Sequence, residues 1–442
     1  MRYITWSLIW VAILMGVGLV ASAQFFWPEL WRGIPYMSFG RLRPVHSQGI
    51  LYGWLSLAMI GGWLYILPRL TRSPLYRPDI ARRALFVWNL ALVFGMLGVM
   101  AGLTQGYEYG DWLWPSDILF VIALFTLAYQ LVQSVRMRRE QTVYVSIWYM
   151  LGTLVWFSGV YLIGNTPLFS GMNQMNVNWF IGHSIVGLWF TTGILALAYY
   201  LFPKVFGQPI WSHRLSLIGF WFIGTFYIQN GPHHLLFSPM MYWLQSWSIV
   251  ASIFLFIPVW AVLANFWGSV RGRWQAVSTE PSARWLLTGW AFYFLTCLQG
   301  PLQALRSVNA YTHFSHWVVG HAHLALLGFA SAFLYAAIYY IVPHVAHRPL
   351  FSRRLAAVHY WLYLVGTSFM VIDLTAAGLI QGAIWRTGLP FIASVIELQP
   401  YWVLRSWTGI LVLAGQLIMT YNVWRTFHPA RVARPLGAAS AE

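Results

Sequence analysis

Charged residues are scarce in this chain: Asp, Glu, Lys and Arg make up only 8% of its 442 residues, against roughly 25% in a soluble globular domain. Acidic residues are the fewest, with 10 Asp and Glu against 26 Lys and Arg, so the formal net charge is +16. Hydrophobic residues reach 59%, and apolar runs recur from Trp6 to Thr426 with short polar gaps. A set of soluble domains is therefore excluded, and we predict an all-α polytopic membrane protein.

Cysteine is almost missing as well. The one cysteine, Cys297, lies inside an apolar run. Disulfide bonds, a multi-cysteine metal centre and the covalent attachment of a c-type haem are therefore excluded. Any redox cofactor of this chain must be held by histidine.

The apolar runs are long enough for twelve transmembrane helices, since a helix needs about 20 residues to cross the hydrocarbon layer. We expect one transmembrane domain over residues 1–442, with about 4–426 in the membrane and 427–442 as a short cytoplasmic tail. The predicted helices lie near residues 4–26, 45–68, 84–104, 116–135, 143–164, 176–203, 213–238, 243–270, 285–304, 315–343, 354–381 and 400–426.

The basic residues set the orientation. Twenty of the 26 Lys and Arg fall in the termini and in the loops that follow even-numbered helices, which the positive-inside rule places in the cytoplasm. Both termini are then cytoplasmic, and the loops that carry Glu108 and Asp111 face outward. Orientation and lipid headgroups explain the positive charge, so we expect membrane lipids as partners and no nucleic acid.

Thirteen histidines are many for so apolar a chain. We set aside His344, His347 and His428 at predicted cytoplasmic ends, together with His213 and His359. Six others lie within predicted helices: His46 on helix 2, His183 on helix 6, His233 and His234 on helix 7, and His321 and His323 on helix 10. The charge-based topology puts all six at one depth in the outer half of the membrane. A single histidine within a helix is more often a core residue that is hydrogen-bonded to a backbone carbonyl. Six histidines at the same depth in the membrane instead indicate a functional site.

Their spacing sharpens this interpretation. His321 and His323 are two residues apart and project roughly 200° apart on a helix, so one helix can serve two centres. His233 and His234 diverge by about 100° and follow Gly231-Pro232, which loosens the helix and lets both rings turn to one ion. His183 would complete a three-histidine site with an open position, as copper or iron chemistry on a gas molecule requires.

This arrangement of histidines resembles the catalytic subunit of haem-copper oxygen reductases and nitric oxide reductases over essentially the whole chain. Four stretches resemble the C family, the cbb-type cytochrome c oxidases: FGRLRPVH at 39–46, QGYEY at 105–109, GPHH at 231–234, and VN at 308–309 ahead of GHAH at 320–323. The resemblance implies the haem-copper oxidase subunit I fold in a bacterial inner membrane. It also implies a catalytic domain that reduces oxygen to water with electrons from cytochrome c, coupled to proton translocation.

The resemblance assigns cofactors and partners as well. It implies two haems b, one copper ion, and membrane-anchored c-type cytochrome subunits as electron donors. Its implied site residues are His46 and His323 as axial ligands of a low-spin haem, His321 as the proximal ligand of a high-spin haem, His183, His233 and His234 as copper ligands, and Arg43 and His313 as propionate partners. Glu108 resembles a calcium ligand of the family, although an ordinary loop carboxylate explains it equally well.

Tyr227 lies seven residues before His234, about two turns, and so faces nearly the same direction on a continuous helix. The resemblance implies that this tyrosine is covalently joined to His183 and supplies an electron and a proton to oxygen. The alternative is a tyrosine that merely packs, as one of 24. Ser216, close to three turns earlier, could pass protons inward, and Trp179, one turn before His183, is expected to pack over the site.

One departure from the family pattern concerns helix 9, where Gln299-Gly300-Pro301 stands in place of Glu-Gly-Pro, so the local proton route is in doubt. A nitric oxide reductase with non-haem iron stays an alternative, although Gly187 and Gln299 supply no carboxylate for that iron. A bis-histidine electron carrier is a third hypothesis that needs only His46 and His323. Metal content distinguishes the three.

Overall fold

The computed structural model describes residues 1–428. The end of the predicted tail, residues 429–442 with Arg431 and Arg434, lies outside the described residues. Between 1 and 428 the regular secondary structure is helical, with turns and loops between the helices and one isolated β-bridge between Tyr107 and Gly110. The main helical segments are α1 Arg2–Ala23, α2 Phe39–Thr71, α3 Pro78–Met100, α4 Trp114–Arg136, α5 Val145–Asn165, α6 Gly171–Phe206, α7 His213–Phe226, α8 Tyr242–Val270, α9 Pro281–Ala304, α10 His316–Ala346, α11 Arg353–Arg386 and α12 Gln399–Phe427.

Within the described residues, ten of these segments are long and apolar enough to cross a membrane. The other two are α7 and α9. Short helices at Pro35–Met37, Gln275–Thr279, Arg306–Thr312 and Phe391–Glu397 lie in the connections. On the outer helices large apolar side chains are exposed, such as Phe86, Val155 and Ile372, as expected where a helix faces lipid. The chain is an integral membrane protein.

The predicted helix over 213–238 is shorter in the structure. Helix α7 ends at Phe226, and two short 3-10 turns follow at Tyr227–Gln229 and Gly231–Leu235. Pro232 starts the second turn. Its nitrogen carries no hydrogen and its ring would clash with the carbonyl four residues earlier, so an α-helix cannot continue through it.

Helices α2, α6 and α10 form the centre of the bundle and are buried along most of their length. Each widens into a π-helical stretch after its histidines, at Ile50–Leu55, Ile185–Thr191 and Leu324–Ala330. Wider turns of this kind recur at functional sites, where they change the direction in which side chains point. All three lie next to the residues that the sequence marked as ligands.

Indole hydrogen bonds join the central helices. Nε1 of Trp54 on α2 donates to Oγ of Ser331 on α10 at 2.9 Å, and Nε1 of Trp189 on α6 donates to Oγ of Ser56 on α2 at 2.8 Å. All four side chains are buried. Because a buried polar group without a partner is costly, these bonds favour one relative placement of the three histidine-bearing helices.

Candidate functional site

Three histidines, from α6 and from the turn after α7, direct ring nitrogens at one point; we call them the three-histidine group (His183, His233 and His234). Their ligand atoms lie within 4.8 Å of one another, and Nδ1 of His183 is 2.9 Å from Nε2 of His234. All three line a cavity of about 370 Å³, the three-histidine cavity. Imidazole nitrogens at this spacing match the donors that copper and iron accept, so the residues fit a metal ion.

A pair of serines selects the tautomer of His233. Nδ1 of His233 lies 2.7 Å from Oγ of Ser252, whose own hydroxyl donates to the carbonyl of Ser248 at 2.6 Å. Because that hydrogen is already used, Ser252 accepts a hydrogen bond from Nδ1 of the imidazole, and Nε2 keeps its lone pair. The ring is thereby held as a neutral ligand, in the way that outer hydrogen bonds orient metal-binding histidines.

His46 and His323 both line a second cavity of about 440 Å³, the two-histidine cavity. Nδ1 of His46 donates to the carbonyl of Leu14 at 2.7 Å, and Nδ1 of His323 donates to the carbonyl of Val319 at 2.8 Å. A carbonyl only accepts, so each Nδ1 carries the hydrogen and each Nε2 is free to bind. Two such nitrogens in one apolar cavity fit the axial bonds of a haem iron.

The two cavities share helix α10 as a wall. His321 lines the three-histidine cavity, whereas His323 lines the two-histidine cavity, and Ala322 lines both. The two imidazoles therefore diverge as expected, and each lies in a different cavity. Behind His321, Oε1 of Gln299 on α9 lies 3.3 Å from Nδ1 of the imidazole. His321 thus presents Nε2 to the cavity as a neutral ligand.

Tyr227 lies beside His183, with the two ring centroids 4.6 Å apart and the planes 18° from parallel. Its position differs from the expectation of one continuous helix, because it occupies the first short turn after α7. The ring occupies the space that a side chain at Gly187 would need, so only glycine there admits the tyrosine. Nε2 of His183 is buried and has no hydrogen-bond partner in the protein.

Trp179 packs over the site as expected. Its indole stacks on the imidazole of His234, with centroids 4.1 Å apart and an interplanar angle of 5°. A parallel aromatic face at this distance restricts rotation of the imidazole. The angle of one ligand of the three-histidine group is therefore set by a residue one turn before His183.

Arg43 lines both cavities and forms an ion pair with Glu108 in the loop between α3 and α4. Asp111 lies in the same loop and accepts a hydrogen bond from Nε2 of Gln48 at 2.5 Å. Burial and then the negative charge of Glu108 raise the pKa of the Asp111 carboxyl to about 6. His313, in the loop before α10, lines the three-histidine cavity, and burial lowers the pKa of its imidazole. Arg43 thus brings a cationic donor to both cavities, and His313 adds an imidazole to the three-histidine cavity.

His316, for which sequence patterns indicate no role, has a structural one. Its Nδ1 donates to Oε1 of Gln381 at 2.8 Å, and its Nε2 accepts from Nε1 of Trp402 at 3.0 Å. Both ring nitrogens are satisfied, so His316 has no lone pair left for a metal.

His359, set aside with the histidines of the cytoplasmic ends, is instead completely buried. The residues that bury it lie on other helices, so no local sequence pattern indicates its burial.

Comparison with known proteins identifies the class. Residues 1–411 match the family described as cytochrome c and quinol oxidase polypeptide I. A solved structure of a heme-copper terminal oxidase dimer superposes with a TM-score of 0.77, covering 96% of this chain and 84% of that one. At 14% identity this likeness shows the fold alone. The chain belongs to the family of cytochrome c and quinol oxidase polypeptide I, the haem-copper oxidase subunit I family.

Curated relatives point to one branch of the family. The chain is 31% identical to the Cbb3-type cytochrome c oxidase subunit CcoN1 of Stutzerimonas stutzeri, over 98% of this chain and 95% of the relative. It is 31% identical to a cytochrome c oxidase subunit 1 homolog of Azorhizobium caulinodans, over 96% and 81%. A nitric oxide reductase chain of Stutzerimonas stutzeri is more distant, at 24% identity over 95% and 93%. The chain is the catalytic subunit of a terminal oxidase.

Proposed function

We propose that this subunit reduces oxygen to water between His321 and the three-histidine group, with electrons that originate from cytochrome c. The observation that carries the proposal is that α10 contributes to two cavities. In the three-histidine cavity His321 is the one haem ligand and leaves a side of the iron for oxygen, whereas in the two-histidine cavity His46 and His323 would occupy both sides of the iron. When bound, two haems b and one copper ion supply the one-electron steps of oxygen reduction. The protein supplies the ligands, their tautomers and the cavity between them.

The free ring nitrogens support the ligand roles that the family resemblance implies. His46 and His323 would hold the iron of the low-spin haem, His321 would hold the iron of the high-spin haem, and the three-histidine group would hold copper. Arg43 borders both cavities and is therefore suited to bind propionates of both haems, with His313 at the second. Electrons reach the low-spin site from membrane-anchored c-type cytochrome subunits, because this chain has no Cys pair for a haem or copper centre of its own.

Tyr227 is the proton and electron donor nearest to the oxygen site. Its ring stacks against His183, whose Nε2 is free for the covalent bond between the two residues. Protons for this tyrosine come from the cytoplasmic side, where Oγ of Ser216 accepts from Nδ2 of Asn265 at 2.9 Å and donates to the carbonyl of Ser212 at 3.1 Å. Both Ser216 and Asn265 are buried. Proton uptake for oxygen chemistry and proton translocation both start from this side.

The proposed topology has twelve membrane crossings and cytoplasmic termini in a bacterial inner membrane, with residues 1–442 as one catalytic domain. The distribution of Lys and Arg supports this orientation. It requires α9 and the segment of α7 with its following turns to cross in addition to the ten long apolar helices. Lipids contact the exposed apolar belt of the outer helices.

Calcium at Glu108 is the least supported cofactor. Both carboxylate oxygens of Glu108 already contact the guanidinium of Arg43, so a calcium ion would have to share or replace that ion pair. Metal analysis before and after treatment with a calcium chelator tests this part of the proposal. Loss of calcium with a shifted haem spectrum supports it, and a preparation without calcium contradicts it.

Metal content and gas consumption of the purified complex test the main proposal. We expect one copper and two haems b on this subunit, together with rapid oxygen consumption in the presence of reduced cytochrome c. Extra iron in place of copper, with nitric oxide but no oxygen consumed, would instead identify a nitric oxide reductase. A single haem and no second metal would leave a bis-histidine electron carrier.

A further inference from the structure

Asp373 is a buried carboxylic acid that the oxidase chemistry described above does not use. It lies on α11 and is only 4% exposed. Neither of its carboxylate oxygens has a hydrogen-bond partner in the protein. A buried charge without a partner is costly, and ionisable residues inside membrane proteins are retained mainly where they serve a function. A group of opposite charge nearby would explain why an acid is present at this position.

The packing of α11 against α12 identifies the residue that lies opposite Asp373. The register of the two helices is set by two contacts, Met370 with Gly409 and Ala377 with Trp402. Residue numbers rise along α11 while they fall along α12, so the helices are antiparallel. Asp373 lies between the two contacts on α11, which places it at the level of Arg405 on α12.

The neighbouring Ser406 does not supply the missing hydrogen bond. Its Oγ donates to the carbonyl of Trp402 at 3.1 Å, and it accepts from Oγ of Ser22 at 2.7 Å. A hydroxyl has one hydrogen, which is therefore already used. Arg405 remains as the partner of Asp373. No hydrogen bond joins the two side chains, but their opposite charges attract each other across the gap.

Arg405 also faces the site of the proposed low-spin haem. It lines the two-histidine cavity, where its guanidinium carbon lies 5.4 Å from the ring centroid of Phe25. Its positive charge reaches the imidazoles of both His46 and His323. Asp373 is not among the residues that line this cavity. The carboxylate therefore acts on the cavity from behind the guanidinium.

We propose that Asp373 is a positioning residue that sets the reduction potential of the low-spin haem through Arg405. Reduction adds one negative charge at the haem, so a cation in the cavity wall favours the reduced form. An ionised carboxylate behind that cation offsets part of this effect, and its attraction holds the guanidinium in one place. The inference rests on the proposed binding of a haem between His46 and His323.

Potentiometric titration of the whole complex, followed separately at the two haems, tests the inference. Asp373→Asn removes the negative charge at nearly constant size. We expect it to raise the low-spin potential by ~59 mV, a ten-fold change in the equilibrium constant for one electron. The high-spin potential should change little. Asp373→Glu restores the charge and should return the low-spin potential toward the wild-type value.

Thr367→Val is the matched control. Thr367 is also completely buried on α11 with an unpartnered hydroxyl, but it carries no charge and does not line the two-histidine cavity. We expect this variant to keep both potentials of the wild type. A low-spin potential that is unchanged in Asp373→Asn, or that shifts equally in Thr367→Val, overturns the inference.

A double substitution tests whether Asp373 acts through Arg405. Arg405→Gln alone should lower the low-spin potential, because the cation is lost. Adding Asp373→Asn to Arg405→Gln should then shift the potential by less than half of the shift seen in the wild type. Equal shifts in the two backgrounds contradict the positioning role.

An infrared measurement decides the question if Asp373→Asn does not assemble. With ¹³C-labelled aspartate, the difference spectrum on reduction of the low-spin haem should contain a band of an ionised carboxylate that is absent from Asp373→Glu. Absence of such a band contradicts the role of Asp373. A wild type without a low-spin haem contradicts the proposed function instead, so the two failures are distinguishable.

Discussion

Gln299 and His321 are joined by a hydrogen bond in which the amide oxygen of Gln299 lies 3.3 Å from Nδ1 of the imidazole. An amide accepts this hydrogen bond without carrying a charge, and it cannot take the proton. The departure from Glu-Gly-Pro on helix 9 therefore affects the ligand of the proposed high-spin haem directly, through the hydrogen bond behind the ring. Outer partners of this kind tune the basicity of a metal-binding histidine.

Replacing Gln299 by Glu should lower the midpoint potential of the high-spin haem, because an ionised carboxylate next to His321 stabilises the ferric state. Oxygen turnover should stay within a few-fold, since the wild-type enzyme already works with a neutral amide. Potentiometric titration and the iron–histidine stretching frequency measure the effect. If nitric oxide consumption instead rises about 10²-fold, the scale of a positioned proton donor, the subunit is a nitric oxide reductase.

His46→Ala and His323→Ala should each remove the low-spin haem, because each supplies one of its two axial bonds. His321→Ala should remove only the high-spin centre, because its imidazole lies in the other cavity. Pyridine haemochrome and low-temperature optical spectra distinguish the two haems. An intact low-spin signal in His323→Ala would disprove the assignment of α10 to two centres.

Tyr227→Phe should keep both haems and the copper but lower oxygen turnover by about 10²-fold or more, because the ring stays while the proton-donating hydroxyl is lost. Oxygen consumption at normal metal content is the measurement. In the wild type, mass spectrometry should find a peptide in which Tyr227 is joined to His183. Near-normal turnover of the variant would show that the tyrosine only packs.

Gly187→Ala should displace Tyr227, because the added methyl group overlaps its ring. Overpacking of this kind costs about 1–3 kcal/mol, so thermal stability and oxygen turnover should both fall. Gly159→Ala on α5 is the control, since a methyl group there meets open space. Equal behaviour of the two variants would contradict the close approach of Tyr227 to α6.

Much of the site could be predicted from residues alone. The separation of His321 from His323 followed from their spacing, and the joining of His233 and His234 followed from Gly231-Pro232. The end of α7 at Phe226 was missed, although Pro232 carried the signal, because hydropathy continues through the turns. His359 was set aside with the histidines of the cytoplasmic ends, whereas the structure buries it against Trp285 and Tyr335 from α9 and α10.

The order of residues alone indicates a membrane protein, predicts most of its helical segments and singles out a set of histidines expected at one depth. These follow from local rules, because in lipid each segment must satisfy its own backbone hydrogen bonds and its flanking charges decide its orientation. Three features required the folded chain: which nitrogen of each imidazole is free, that α10 separates two cavities, and that Gly187 admits Tyr227. They depend on pairs distant along the chain, such as Leu14 with His46, whose contact no local pattern encodes.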